Sequence, residues 1–199
     1  MNLRKDLKII SDMISENSRV LDIGCGDGEL LYYLGKFKEV DARGIEISHN
    51  GLNKCLQSGL SVVQGDIVAG LDYPKKSFDF VILSQTIQTI HSPKAALIEM
   101  LRVGKMVIVS FPNFGHWLVR LSFLSRGSMP VTKSLPYKWH NTPNIHLCTI
   151  QDFVDLCKNL KISIDQIYIL GELDKFYKKE LPLGFSNFFG KQAVFLLSK

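Results

Sequence analysis

The sequence predicts an α/β fold in three layers, α/β/α, with helices on both faces of a mostly parallel sheet. Three observations carry this reading. Short apolar runs alternate with helical spacings along most of the 199 residues, which is the pattern of βαβ units. Two of the runs, 78–83 (with only Asp79 polar) and 106–111, are almost wholly apolar, as strands buried on both faces are. The first run, 19–23, ends in a turn carrying Gly24, Gly26 and Gly28, and a helix is expected from Glu29.

Leu7, Ile10, Met13 and Ile14 fall at helical spacing and predict an opening helix. The first strand, 19–23, is followed by a helix over 29–37. A second strand alternates over 40–47, a helix follows at 50–56, and a short third strand at 60–63. The fourth strand is 78–83. Pro93 suits the first turn of a helix that runs to about Val103. The fifth strand, 106–111, is ended by Pro112. The alternation stops over 112–149 and then resumes. Phe153, Val154 and Cys157 suit a helix with Asp152 near its start, 162–170 alternates as a strand, and 193–197 is the last of seven. Connections longer than about 15 residues are uncommon in compact domains and are usually functional or mobile, so 112–149 is read as an inserted segment within one domain spanning 1–199.

An apolar fraction of 46% is enough for a substantial core. No run approaches the roughly 18 uninterrupted apolar residues that suggest a membrane span, and Met1 to Asp6 is not followed by the apolar stretch of a secretory signal. Cys25, Cys55, Cys148 and Cys157 form no C-x-x-C pair, so a reduced, cytoplasmic setting without a disulfide framework is expected, and no metal. The net charge of +5 is concentrated. Between Glu99 and Asp152 there is no acid, against Arg102, Lys105, Arg120, Arg126, Lys133 and Lys138. Such a segment suits an anionic small molecule, an acidic protein surface, an anionic membrane or nucleic acid, or forms a solvated basic face.

Residues 20–30 read Val-Leu-Asp-Ile-Gly-Cys-Gly-Asp-Gly-Glu-Leu. Alternating glycines let the chain turn tightly and a ligand approach the backbone, and the helix behind offers unpaired N–H groups. The dinucleotide fingerprint would need a third glycine where Glu29 stands, and the phosphate loop would need Lys-Ser or Lys-Thr after the turn. Neither is present. The remaining pattern, D-x-G-C-G-x-G, resembles the first motif of class I S-adenosylmethionine (SAM) methyltransferases. SAM has no phosphate for a lysine to hold. That resemblance implies a Rossmann-like sheet of seven strands with an antiparallel C-terminal strand, and SAM as cofactor with S-adenosylhomocysteine as product. Asp22 would brace the turn and face the cofactor's positive groups. Glu46, at the end of the second strand, would accept from the ribose diol. Gly65, Asp66 and Ile67 would hold the adenine, with Asp66 on the amino group and Ile67 against the ring. Ser84 and Gln85, after the fourth strand, would line the methionine end. The expected cofactor set is therefore Asp22, Gly24, Cys25, Gly26, Gly28, Glu46, Ile47, Gly65, Asp66, Ile67, Ser84 and Gln85.

The inserted segment narrows the resemblance. Ser110-Phe111-Pro112-Asn113-Phe114-Gly115-His116-Trp117, then Leu135-Pro136-Tyr137-Lys138-Trp139, then Thr142-Pro143-Asn144-Ile145-His146-Leu147-Cys148-Thr149 together resemble the methionine biosynthesis protein MetW family over nearly the whole chain. His140-Asn141 stands where that family more often has Tyr-Asp. The resemblance implies association with homoserine O-acyltransferase. A protein that binds SAM, a downstream product of methionine, and touches that enzyme would report pathway output if the partner prefers one liganded state.

Three functions remain open from the sequence: a SAM-binding partner or regulator of homoserine O-acyltransferase, a SAM-dependent methyltransferase of a small molecule with 112–149 as its lid, and an RNA methyltransferase using Phe114, Trp117, Phe123, Tyr137 and Trp139 as a stacking surface. Residues suited to serve an acceptor are His116, Tyr137 and His146, with Trp117 and His140 nearby; a histidine can act as general base. The plainer reading of His116 and His146 is that they hydrogen-bond the Pro112-Asn113 and Pro143-Asn144 turns. No Asn-Pro-Pro-Tyr follows the fourth strand, which disfavours methylation of amino groups on DNA or of protein glutamine. Trp117, Leu118, Leu121 and Leu124 share one helical face, suited to packing or docking.

Overall fold

The computed structural model describes residues 3–132, 135–171, 176–178 and 182–199, with the side chains of 176 and 177 left aside. Met1, Asn2 and Lys133, all part of the sequence reading above, lie outside the described residues. In chain order the elements are α1 (Lys5–Met13), β1 (Arg19–Ile23), α2 (Glu29–Lys38), β2 (Asp41–Glu46), α3 (His49–Gln57), β3 (Ser61–Gln64), β4 (Phe78–Ser84), α4 (Pro93–Val103), β5 (Gly104–Pro112), α5 (Trp117–Arg126), α6 (Ile150–Asn159), β6 (Ser163–Leu170), β7 (Phe176–Lys178), α7 (Leu183–Phe189) and β8 (Gln192–Ser198).

The strands form one sheet in the order β3-β2-β1-β4-β5-β8-β6-β7. β1 to β5 pair in parallel, and β8 enters antiparallel between β5 and β6. These are the seven strands read from the sequence, including the antiparallel C-terminal one. β7, three residues paired antiparallel to the outer side of β6, extends the sheet to eight.

Period-two burial sorts each strand between two cores. On one face Leu21, Ile23, Val81, Leu83, Val107 and Val109 pack against α4 and α6 through Leu97, Met100, Phe153 and Cys157. On the other, Val20, Ile82 and Ile108 meet Ile10 of α1 and Leu30 and Leu34 of α2. Phe111, Phe153 and Phe195 form an aromatic triad with ring centroids 4.7 to 5.7 Å apart.

The inserted segment leaves the sheet at the end of β5. α5 buries none of its residues; Leu121 is 51% and Leu124 84% exposed. Leu135, by contrast, is buried. The root of the insertion is tied by Asn113, which is 1% exposed. Its Nδ2 donates to the carbonyls of Asn187 (2.8 Å) and Gly190 (2.7 Å). Its Oδ1 accepts from the N–H groups of Gly115 (2.9 Å) and Ile150 (3.3 Å). One side chain thus joins the end of β5 to α6 and α7.

The basic stretch does not form one patch. Arg102 is taken up by Glu99 at 2.7 Å and by the carbonyls of Leu71 and Tyr73, and Lys105 by Asp79 at 2.8 Å. Arg102 lies at the end of α4 and Lys105 at the start of β5, away from the insertion that follows the end of β5. Arg120 donates to the Gly115 carbonyl at 2.6 Å and lies over the Phe188 ring.

Candidate functional site

β1 lies between β2 and β4, so the strand order reverses beside it. Open α/β sheets bind ligands at the carboxyl ends of strands at such a switch. The turn after β1 is built for close approach. Gly24, Gly26 and Gly28 have φ of +69°, +57° and +78°, which L side chains rarely adopt. A Cβ on Gly24 would meet Thr86 at 3.0 Å, and one on Gly28 would run into Leu60 and Cys55. At Gly26 a Cβ would meet nothing within 4 Å, so this glycine faces open space where a ligand can lie. The N–H groups of Gly24 (2.7 Å) and Cys25 (3.3 Å) both donate to the Ile45 carbonyl, lacing the turn to β2. Burial, with Asp22 alongside, pushes the Cys25 thiol up from its ordinary value, so Cys25 is an unreactive wall of the turn.

Two buried acids flank it. Glu46 is 7% exposed; its Oε2 accepts from Gly26 N–H and its Oε1 from Ser48 N–H, each at 2.8 Å. A carboxylate has about four acceptor positions, so it retains capacity toward a diol. Asp22 is 3% exposed, and its Oδ1 has no hydrogen-bond partner among the described residues. Burial, reinforced by Glu46 and opposed by Arg4, raises its carboxyl from 3.8 to about 7. A buried acceptor without a donor, beside a turn with room in front of it, fits a ligand that brings an N–H donor and positive charge. The ammonium of SAM's methionine is such a group, and its ribose diol suits Glu46.

The adenine positions are arranged less simply. Asp66 is exposed and its Oδ1 accepts from Val68 N–H at 2.9 Å, capping the short turn Ile67–Ala69. Ile67 is buried in the core while Val68 is 41% exposed, so Val68, not Ile67, presents its side chain outward. Ile47 is 63% exposed just past the end of β2. A Cβ on Gly65 would meet Ile45 at 3.2 Å.

At the ends of β4 and β5 the structure adds residues that the sequence reading missed. Arg4 pairs with Asp6 through Nε (2.7 Å) and Nη2 (3.0 Å), and Nη2 also donates to Ser84 Oγ at 3.0 Å. Asp6 is 1% exposed. Ser84 Oγ lies 3.2 Å from the buried Ser110 Oγ, and Gln85 holds a φ of +55°, a strained setting for a non-glycine residue. In sequence, Arg4 and Asp6 look like any charged helix start.

Arg4, Asp6, Gln85 and Gln88 open onto a cavity of about 650 Å³ beneath the insertion, lined also by Asn113, His116, Tyr137 and Lys191. The structure therefore brings His116 and Tyr137 to one cavity. His116 is 4% exposed and caps α5, its Nδ1 accepting from Leu118 N–H at 3.3 Å. A neutral ring in that role carries its proton on Nε2. Tyr137 is half-exposed at 49%. His146 is exposed and lines a separate recess of about 270 Å³ with Cys148 and Asp152; its N–H, not its ring, bonds the Gln88 carbonyl at 3.0 Å. Trp139 is 75% exposed.

The family described as methionine biosynthesis protein MetW matches residues 4–197. The bifunctional methionine biosynthesis protein MetXA/MetW of Rhodopirellula baltica is 34% identical over 176 residues, 83% of this chain but 28% of its own length. A fatty-acid O-methyltransferase of Mycolicibacterium smegmatis is 38% identical over 72 residues, 34% of this chain and 26% of that protein. The chain thus spans under a third of either relative. Among solved structures, a SAM-dependent methyltransferase of Thermotoga maritima, a possible histamine N-methyltransferase, aligns with a TM-score of 0.70 and 20% identity, over 98% of this chain and 87% of that one. The [4+2]-cyclase SpnF aligns with a TM-score of 0.69 and 15% identity, over 97% and 80%. The fold is that of class I SAM methyltransferases, and it also carries other chemistry.

Proposed function

The chain belongs to the MetW family of methionine biosynthesis proteins, and from that premise we propose that it binds SAM at the glycine turn and acts with homoserine O-acyltransferase through its 112–149 insertion. The observation that carries the cofactor half is the pair of buried acids around an open glycine: Asp22 with an unpartnered oxygen and Glu46 with spare acceptor capacity. The partner half is supported by a relative that joins MetXA and MetW in one chain, and by α5, an apolar-faced helix left outside both cores. Its site in the cytoplasm is supported by four free cysteines and the pathway.

A second reading is methyl transfer to a small molecule, favoured by the 650 Å³ cavity beside the cofactor crevice. Bound SAM supplies a methyl group on a sulfonium sulfur. The chain's own part is then to align an acceptor and exclude water. Tyr137 would orient it, with His116 lining the same cavity. His146 would act only if the insertion rearranged.

The experiment is acyltransferase turnover with and without this chain at several SAM concentrations. A rate that changes only when the chain is present, and then with SAM, is the expected result. No change, together with separate elution of the two proteins, overturns the partnership and leaves the methyltransferase reading.

A further inference from the structure

Asp22 offers a buried acceptor suited to an ammonium, and the methionine end of SAM carries its carboxylate on the same carbon as its ammonium. A site that takes the one must answer the other close by. The strand period says which residues are near. β1 pairs with β4 so that Asp22 stands opposite Ile82, and Ser84, two residues on, returns to the same face of the sheet. Ser110 joins that face from β5, opposite Ser84. It is the face that α1 covers through Leu7 and Ile10. Ser84 Oγ accepts from Arg4 Nη2 at 3.0 Å and donates to Asp6 at 3.3 Å. These bonds bring the start of α1 to the carboxyl end of β4, next to that of β1.

Arg4 directly precedes α1. A guanidinium has five N–H donors. Three are used here: Nε and Nη2 on Asp6, and Nη2 again on Ser84. Nη1 has no partner among the described residues, and the side chain is half-exposed. Asp6 and Ser84 hold the planar fork in place, so less freedom is lost when it takes an anion. Of the two charged groups that act on Asp22, Glu46 and Arg4, only Arg4 is a cation. A fixed arginine with an open edge, within electrostatic reach of the ammonium's acceptor, is suited to the carboxylate beside that ammonium.

We propose that Arg4 binds the carboxylate of the ligand's amino-acid end, so that Asp22 and Arg4 together make the crevice specific for adenosyl compounds that keep an intact α-amino acid. This role rests on the SAM reading of the glycine turn. It gives the start of α1 a part in ligand recognition, beyond pinning the helix to β4.

The test is calorimetric titration with S-adenosylhomocysteine and with its decarboxylated form, S-adenosyl-3-thiopropylamine, which keeps the adenosine and the ammonium. The unaltered chain should bind S-adenosylhomocysteine about tenfold or more tightly than the amine. Arg4→Gln combined with Asp6→Asn, paired so that no buried charge is orphaned, should close most of that gap. It should do so by weakening S-adenosylhomocysteine, while the amine keeps its affinity or gains. A purely structural Arg4 would lower both ligands alike, and that result overturns the assignment. Equal affinities in the unaltered chain overturn it too and leave the SAM reading standing. No saturable heat from either ligand would overturn the SAM reading itself, and the role of Arg4 with it.

Discussion

At the scale of single residues, Asp22 governs how the site responds to pH. Its carboxyl is raised by burial first, to about 7 in the folded chain from 3.8. Between those values the folded state holds a proton that the unfolded chain has released, so stability falls as pH rises through the window. The full effect, reached above about pH 7, is on the order of 4 kcal/mol. The ligand-free chain should therefore melt at a lower temperature at pH 8 than at pH 5, and Asp22→Asn should remove most of that difference, as thermal scans would show. A cationic ligand group beside Asp22 favours its ionised form. S-adenosylhomocysteine should then bind more tightly as pH rises through 7, with proton release detectable by calorimetry in buffers of different ionisation enthalpy. A pH-independent affinity in the unaltered chain would remove Asp22 from the cofactor site. Asp22 and Glu46 were legible in the sequence because a strand, an acid and a glycine turn are local signals. Arg4, Asp6 and Gln88 were not, because what distinguishes them is contact with Ser84 and the insertion, residues some 60 to 80 positions away in the chain.

At the scale of elements, the insertion depends on Asn113 for its attachment. Four hydrogen bonds converge on that side chain, at 2.7 to 3.3 Å. Asn113→Ala leaves two carbonyls and two N–H groups short of a partner in a buried setting, where each orphan costs about 1–3 kcal/mol. The expected loss is at least about 3 kcal/mol in urea unfolding. The bond network, not the volume, is the cause if Asn113→Leu is no better than alanine. The strands were readable because their apolar runs report burial directly, and the glycine turn because positive φ selects glycine. α7 was not: Phe185, Phe188 and Phe189 fall at helical spacing, but the helix is only seven residues long and its one buried residue is Ser186, so the period is too short to separate it from a loop. β7 is three residues long and exists by pairing with β6, which no local pattern encodes. α5 shows the reverse case. Its stripe of Trp117, Leu118, Leu121 and Leu124 reads as a packing face, yet no residue of the helix is buried. Periodicity predicted the helix and could not say what it faces.

At the scale of the whole molecule, the topology brings separate tasks to one edge. The reversal of strand order at β1 and β4 opens the crevice proposed for SAM, the end of β4 carries Ser84 and Gln85 to its border, and the end of β5 launches the insertion over the neighbouring cavity. Arg4 spans the junction, since it bonds Ser84 and also lowers the carboxyl of Asp22. Contiguous contacts run from the insertion toward that crevice, through Gln88, which holds Ile145 and His146, and Gln85, so a partner proposed to dock on the insertion would be linked to it. If SAM changes the affinity of the chain for homoserine O-acyltransferase by some factor, thermodynamic linkage requires the acyltransferase to change SAM affinity by the same factor. Couplings of this kind usually amount to about 5–150-fold. The two measurements are independent: the dissociation constant of S-adenosylhomocysteine with and without saturating acyltransferase, and that of the acyltransferase with and without saturating S-adenosylhomocysteine. Equal factors above unity establish a sensor. Binding of both ligands with a factor of one would mean that the chain holds its cofactor and its partner without relaying one to the other, because a ligand with equal affinity for both states shifts no equilibrium.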